Sequence, residues 1–407
     1  MSAGDVWLLG VAMSRFGKHP DTTLVELGSA TALDALRDAG VGMADIGLFA
    51  AGNQMEASTR IGQRVQRHLG QTGIPVYNVI NACATGATAL RTAVMAIRAG
   101  ECDLALALGV EKIAGAGLLG GAQVVQALPT WQPQGPFGAV TPTDGLLGTD
   151  SMPGMFAMIG MEYLLQHGDP GKDVEVFARI SEKNHAHSTL NPLATHQRRF
   201  TLEEITSAKV IAYPNTLPMC SANCDGAAAA VLVSDERLRR MDPGQRRRAV
   251  KISASVLTSD SWQPSGDALP DFNTLTRDAA RRAYDQAGVG PEDLDLVELH
   301  DCFATAELVH YDNLMLCPPG DAVSFFDSGA TWRDGRLPVN VSGGLQSKGH
   351  PIAATGIAGV FEVATQLRGD AGDRQVEGAR VGLAHVAGLG QSCGVHILER
   401  SQLLTSA

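Results

Sequence analysis

The stretch AGVGMADIGLF at residues 39–49 returns 248 positions later as AGVGPEDLDLV at 287–297. Each copy follows small or apolar residues spaced four apart: Leu27, Thr31, Ala35 and Ala39 in one, Leu275, Ala279, Ala283 and Ala287 in the other. That spacing predicts one helical stripe, and the glycine behind it ends the helix before a strand, IGLFAAG in the first copy and LDLVELH in the second. A second correspondence lies farther along. ATGATAL at 84–90 lines up with ATGIAGV at 354–360, an offset of 270. Apolar positions 87, 90, 94 and 97 recur as 357, 360, 364 and 367, the rhythm of a buried helix face. Strand-like runs follow both, LALALGV from Leu104 and VGLAHVA from Val381. Two correspondences in the same order point to an internal duplication. Each half is expected to alternate strands and helices, as α/β layers on mostly parallel sheets.

Working outward, residues 1–250 form the first half and 251–407 the second, with a loop domain inserted at about 115–205. Residues 115–150 are rich in Gly, Pro and Thr and read as loop. MPGMFAMIGMEYL then sets Met152, Met155, Met158 and Met161 three apart along a short helix, as core filler or as an adaptable wall of an acyl pocket. RLRRMDPGQRRR at 237–248 reads as a solvated linker between the halves.

Composition narrows the function. The 407-residue chain carries 32 Lys+Arg against 43 Asp+Glu, a net charge of −11 that disfavours nucleic acid, whose phosphates need a dense basic face. No uninterrupted apolar run of about 18 residues exists to span a bilayer. The start lacks the basic and apolar regions of a signal peptide, and the end is not a peroxisomal tripeptide, so a cytoplasmic location is expected. Seven cysteines without a framework spacing suit a reducing compartment and free thiols.

Chemistry concentrates in three segments. Cys83 in NACATGATAL stands between the apolar run VYNVI and a helix, where the positive end of the helix dipole favours a thiolate. His350 in SGGLQSKGHPIAATG lies three residues before the position that aligns with Cys83. Duplication therefore places a cysteine and a histidine at equivalent strand-to-helix turns, where a neutral imidazole takes the thiol proton. ELHDCFATAEL at 298–308 adds His300, Asp301 and Cys302. These are metal-ligand types, but no CxxC or HxxxH partner accompanies them. Cys220 and Cys224 have CxxxC spacing and lead into an apolar run read as a helix. Packing is the simplest role for them and for Cys102, Cys317 and Cys393.

Together NACATG, HDCF and SGGLQSKGHP resemble the thiolase superfamily, and within it the sterol-carrier-protein (lipid-transfer-protein-like) type. NHAHSTLNP at 184–192, CDGAAAAVL at 224–232, LCPPGD at 316–321, QLRGDAG at 366–372 and HVAGLG at 385–390 look like that group too. The resemblance implies a fold of two α/β halves in five layers (αβαβα), with a loop domain over the pocket. It implies Cys83 as the acylated nucleophile, His350 as its base, and Cys302 as the acid/base for the substrate proton. His300 would help His350 stabilise the enolate oxygen, and N–H groups of Cys83 and near Gly388 would hold the thioester oxyanion. Ala353 and Gln391 stand where the family commonly has glycine, which bears on substrate preference.

The implied reaction is thiolysis of a 3-ketoacyl-CoA, or the reverse Claisen condensation, with CoA as co-substrate and neither metal nor organic cofactor. Arg179, Lys183, Arg198 and Arg199 are candidates for the CoA phosphates. The alternatives are a thiolase-like retro-aldolase on CoA-linked side chains and a non-catalytic lipid carrier or scaffold. Family habit further implies a homodimer or homotetramer, and some relatives bind a small zinc-ribbon/OB-fold partner.

Overall fold

The computed structural model describes residues 4–114, 152–259, 272–388 and 392–401, and the backbone of 134–135 and 138–139. The duplicated stretches fold alike. Helix α1 (Leu24–Ala39) buries Leu27, Thr31, Ala35 and Ala39. It opens on a capping box between Thr23 and Glu26 and closes at Gly40, whose φ of 67° continues no helix. Its counterpart, called α6 in chain order (Phe272–Ala287), ends likewise at Gly288, φ 72°. Further helices are α2 (Ile61–Leu69), α3 (Thr85–Arg98), α4 (Met152–His167), α5 (Val176–Ser188), α7 (Ala304–Asn313) and α8 (Thr355–Arg368). The offset of 270 maps α3 onto α8 end to end, and the predicted stripe of Ala87, Leu90, Val94 and Ile97 is buried, as is Ile357, Val360, Ala364 and Leu367.

Nine strands form the central sheet: β1 (Val6–Met13), β2 (Leu48–Gly52), β3 (Val76–Val79), β4 (Leu104–Glu111), β5 (Gly226–Ser234), β6 (Val250–Ser259), β7 (Leu296–Glu298), β8 (Val381–Gly388) and β9 (Ser392–Arg400). Their order is β7-β8-β9-β6-β1-β5-β4-β2-β3. Outward from the middle, β6-β9-β8-β7 repeats β1-β5-β4-β2. The halves join where Trp7 and Leu8 pair with Lys251 and Val250. Along β5 the side chains alternate, Ala228, Ala230 and Leu232 toward the interior between the halves and Ala227, Ala229, Val231 and Val233 toward α1 and α2. The interior layer is α3 and α8; the far face of the second half is covered by α6 and α7. The result is five layers, αβαβα.

Three expectations need correction. The sheet is mixed: β2 runs parallel to β3 and β4, and β7 to β8, but β5 and β9 are antiparallel to both neighbours. Only three residues separate β8 from β9, too few for the crossover that a parallel pair needs. The run after Cys224 is strand β5, not a helix. Its alanines are buried on both faces between β1 and β4, where a continuous apolar run suits a central strand despite alanine's helix propensity. The segment read as a linker forms two short helices, Asp235–Arg239 and Pro243–Arg248. Arg248 there bridges Asp38 and Asp370 at 3.0 Å each, tying the halves together.

Of the inserted region, 152–188 is largely helical, with the four methionines on the 16-residue α4. The Gly/Pro/Thr-rich 115–133 and 140–151 lie outside the described residues, as does Gln391. Among the described residues no helix is long and apolar enough to cross a membrane.

Candidate active site

Duplication builds the site by crossing the N-termini of α3 and α8. Gly86 and Gly356 are equivalent under the 270 offset, and the two backbones meet there. A Cβ on Gly86 would stand 2.6 Å from the Ala353 carbonyl, and one on Gly356 2.5 Å from the Ala87 nitrogen. Only glycine permits that approach, and it brings the turn holding Cys83 against the turn holding His350.

Cys83 sits on a sharp strand-to-helix turn. Ala82 before it holds φ at 47°, a strained value for a residue with a Cβ. Thr85 pins the turn, its hydroxyl donating to the Ala82 carbonyl at 2.6 Å and accepting from the Asn81 N–H at 2.8 Å. Thr355, the same residue of the second copy, donates to the Pro351 carbonyl at 3.1 Å. It therefore accepts from His350 Nδ1–H, 2.7 Å away. That bond leaves His350 Nε2 as a lone pair, and Nε2 stands 3.2 Å from Cys83 Sγ. Burial, and then the Lys348 charge, push the His350 pKa down to about 3, so the imidazole is neutral near pH 7.

His300 and Cys302 enter from the loop between β7 and α7. The His300 ring meets the His350 ring edge-on, centroids 5.3 Å apart. It is buried, its Nδ1 has no hydrogen-bond partner among the described residues, and desolvation, then the neighbouring histidines, hold its pKa well below the usual value. Cys302 packs with Phe156, Cys220, Phe303 and Leu345 and shares with His350 a cavity of about 20 Å³. Burial, then Cys83 and Asp301, raise its pKa well above the thiol range, so Cys302 carries a proton it can donate. Gly388 ends β8 against the Cys83 turn; a Cβ there would lie 2.8 Å from the Asn81 carbonyl and 3.2 Å from the Ala84 nitrogen. One ligand atom each from Cys83, His300 and His350 lies within 4.8 Å of the others.

The CoA-phosphate candidates divide. Lys183 cannot serve, a correction to the sequence reading: it is fully buried, with Nζ 2.7 Å from Glu307 and donating to the Val339 carbonyl at 2.9 Å. An ammonium sealed into an ion pair does not reach a phosphate in solvent. Arg179 pairs with Asp327 at 2.7 Å, and Arg198 with Glu204 at 3.3 Å while stacking on Phe200. Arg198 and Arg199 are exposed and follow His196, whose N–H donates to Ser347 of the His350 turn. Ala353 is buried and does not line the described cavity.

Sequence reading missed the supports. Asp301 accepts from the Leu345 N–H at 2.7 Å, Asn184 Nδ2 at 3.0 Å and Gln346 Nε2 at 3.2 Å, fastening the His300 loop to the His350 turn. Glu298, Ser342 and Lys348 form a second buried knot behind the same turn. Thr355 was present in the ATG repeat. Its role was findable only by asking what the duplicated threonine bonds in each copy.

Residues 6–130 match the family model "Thiolase, N-terminal domain" and 260–400 match "Thiolase C-terminal domain-like". Human sterol carrier protein 2 is 37% identical over 95% of this chain and 70% of its own length. An acetyl-CoA acetyltransferase of Methanothermobacter thermautotrophicus is 35% identical over 97% of this chain and all of its own. Benzoylsuccinyl-CoA thiolase subunit BbsB of Thauera aromatica is 31% identical over 95% of each. Among solved structures, the Ltp2-ChsH2(DUF35) aldolase superposes with TM-score 0.77 at 22% identity over 99% of both chains. Human mitochondrial 3-ketoacyl-CoA thiolase in complex with CoA superposes at 0.69 and 17% identity over 98% of both.

Proposed function

Because the chain belongs to the thiolase family, we propose that it is an acyltransferase that cleaves 3-ketoacyl-CoA, or runs the reverse condensation, through an acyl-enzyme on Cys83. The observation that carries this reading is the 3.2 Å contact between Cys83 Sγ and Nε2 of His350, whose Nδ1 lies 2.7 Å from the Thr355 hydroxyl. A buried neutral imidazole at hydrogen-bond distance is what a thiol needs to become a nucleophile without a standing charge.

In the cleavage direction His350 takes the Cys83 proton and Sγ bonds to the keto carbon. The Cα–Cβ bond then breaks, leaving an acyl-Cys83 thioester and the enolate of the shortened acyl-CoA. His300 and His350 face the enolate oxygen, and the Cys302 thiol protonates the carbanion carbon. Free CoA attacks the thioester and regenerates Cys83. The N–H groups at Cys83 and beside Gly388 are the candidate thioester oxyanion donors. Arg198 and Arg199 are the candidates for CoA phosphates, with no organic cofactor or metal assigned to the reaction. A homo-oligomer is the proposed assembly. The pairing in the name Ltp2-ChsH2(DUF35) supports testing a small zinc-ribbon/OB-fold partner as well.

The competing reading, retro-aldol cleavage of a CoA-linked side chain, uses His300 and Cys302 but leaves Cys83 unacylated. Incubating the protein with a panel of 3-ketoacyl-CoA thioesters, with and without CoA, separates the two. CoA-dependent cleavage lost in Cys83→Ala supports thiolysis; normal turnover by that variant refutes it.

A further inference from the structure

The nucleophile, its base and His300 are also a set of soft metal donors. Tetrahedral Zn²⁺ holds thiolate sulfur at about 2.3 Å and imidazole nitrogen at about 2.0–2.1 Å, which sets its ligand atoms roughly 3.3–3.6 Å apart. Cys83 Sγ and His350 Nε2 already stand 3.2 Å apart, and the His300 donor completes a triangle with no side longer than 4.8 Å. Closing it takes a ring adjustment on the order of 1 Å. We infer that Cys83, His350 and His300 form a binding site for a thiophilic divalent cation, zinc above all, and that its occupation blocks the enzyme.

Four features of the site support this. His350 arrives with the support usual for a metal-binding histidine, its distal Nδ1–H bonded to the Thr355 hydroxyl, so that ring and tautomer are fixed. His300 is 1% exposed and its Nδ1 lacks a partner among the described residues, so that nitrogen does not tie the ring to the protein. The adjoining cavity of about 20 Å³, lined by His350 and Cys302, takes the one water that a three-ligand zinc site carries. The donors are one sulfur and two nitrogens without a carboxylate, which selects Zn²⁺ or Co²⁺ and rejects Mg²⁺ and Ca²⁺.

Binding balances simply. The Cys83 S–H bond breaks, an S–Zn bond forms, the proton leaves to solvent, and nothing is oxidised or reduced. The metal then holds both the sulfur electron pair and the Nε2 lone pair, so nucleophile and base are lost together. Zinc is thus an inhibitor of this site, competitive with acylation.

Cobalt gives a readout that does not depend on turnover, so a failure of the acyltransferase reading would leave this test standing. The full chain, stripped with a chelator, is titrated with Co²⁺. The expected result is one Co²⁺ per chain, with a thiolate-to-cobalt charge-transfer band and the intense visible absorption of tetrahedral cobalt. The band should vanish in Cys83→Ala, and binding should weaken about tenfold or more in His300→Asn. Zn²⁺ should displace the cobalt and protect Cys83 from iodoacetamide, whereas Mg²⁺ should do neither. A missing band in the wild type, a band that survives in Cys83→Ala, or unaltered affinity in a folded His300→Asn would each overturn the assignment. If His300→Asn fails to fold, the Cys83→Ala comparison decides alone.

Discussion

Thr355 is the smallest part on which the site depends. Its hydroxyl fixes which nitrogen of His350 faces Cys83, so Thr355→Val keeps the volume and loses the tautomer control. A fall in kcat/KM of about ten- to a hundredfold is expected, with a matching loss in the rate at which Cys83 is alkylated near pH 7. Unchanged alkylation would show that the orientation of His350 does not depend on this bond. Gly388 makes the second residue-scale test. A methyl there meets Ser392 Oγ at 2.5 Å and the Asn81 carbonyl at 2.8 Å, so Gly388→Ala must push the Cys83 turn or the end of β8 aside. Destabilisation of about 1–3 kcal/mol, read from denaturant midpoints, should accompany loss of acyl transfer. A variant as active and stable as the parent would mean the turn gives way freely.

At the scale of elements, what holds the two catalytic turns is a set of buried polar bonds. Lys183 of α5 and Glu307 of α7 form an ion pair with no exposure on either side chain. Removing one partner leaves an uncompensated charge, so Lys183→Met should cost about 3–5 kcal/mol of stability. The KM for CoA of the folded fraction should stay at the parent value; a selective rise in that KM with stability intact would restore Lys183 to a phosphate-binding role. The sequence made the pairings of α1 with α6 and of α3 with α8 legible, because an apolar stripe and a terminal glycine are local signals. It did not disclose β5 as a strand. The same GAAAAVL run suits either state until its neighbours are known, and β1 and β4 lie more than a hundred residues away in the chain. Cys83 and His350 were readable as a pair through the duplication alone. Asp301, Asn184 and Thr355 were not, since their work is to make hydrogen bonds, to amide, carboxylate and imidazole partners, that take shape only on folding.

The whole molecule carries a pH signature. Desolvation lowers the pKa of His185 to about 4 and of His187, His310, His350 and His396 to about 3, with His300 and His385 well below normal. Between the ordinary histidine value near 6.5 and those folded values, the unfolded chain binds protons that the native chain refuses. The stability these groups contribute is complete above about pH 6.5 and drains away as pH falls toward the folded values. Burial raises Glu111 to about 7 and holds Asp301 well above its usual value, and these act in the opposite direction over the same window. Among the described residues eight lowered histidines, His196 included, stand against two raised carboxyls, so the denaturant midpoint should drop steadily from pH 7 to pH 5. A flat or rising midpoint over that range would contradict the neutral, desolvated state assigned to the histidines, His350 included.

The central claim is that Cys83 carries the acyl group. Its most direct test is the intact mass of the protein after exposure to a 3-ketoacyl-CoA with no free CoA present, followed by peptide mapping. An acyl adduct on Cys83, discharged when CoA is added and absent in Cys83→Ala, is the predicted result. Release of an aldehyde or ketone from a CoA-linked substrate, with the protein's mass unchanged, would contradict it.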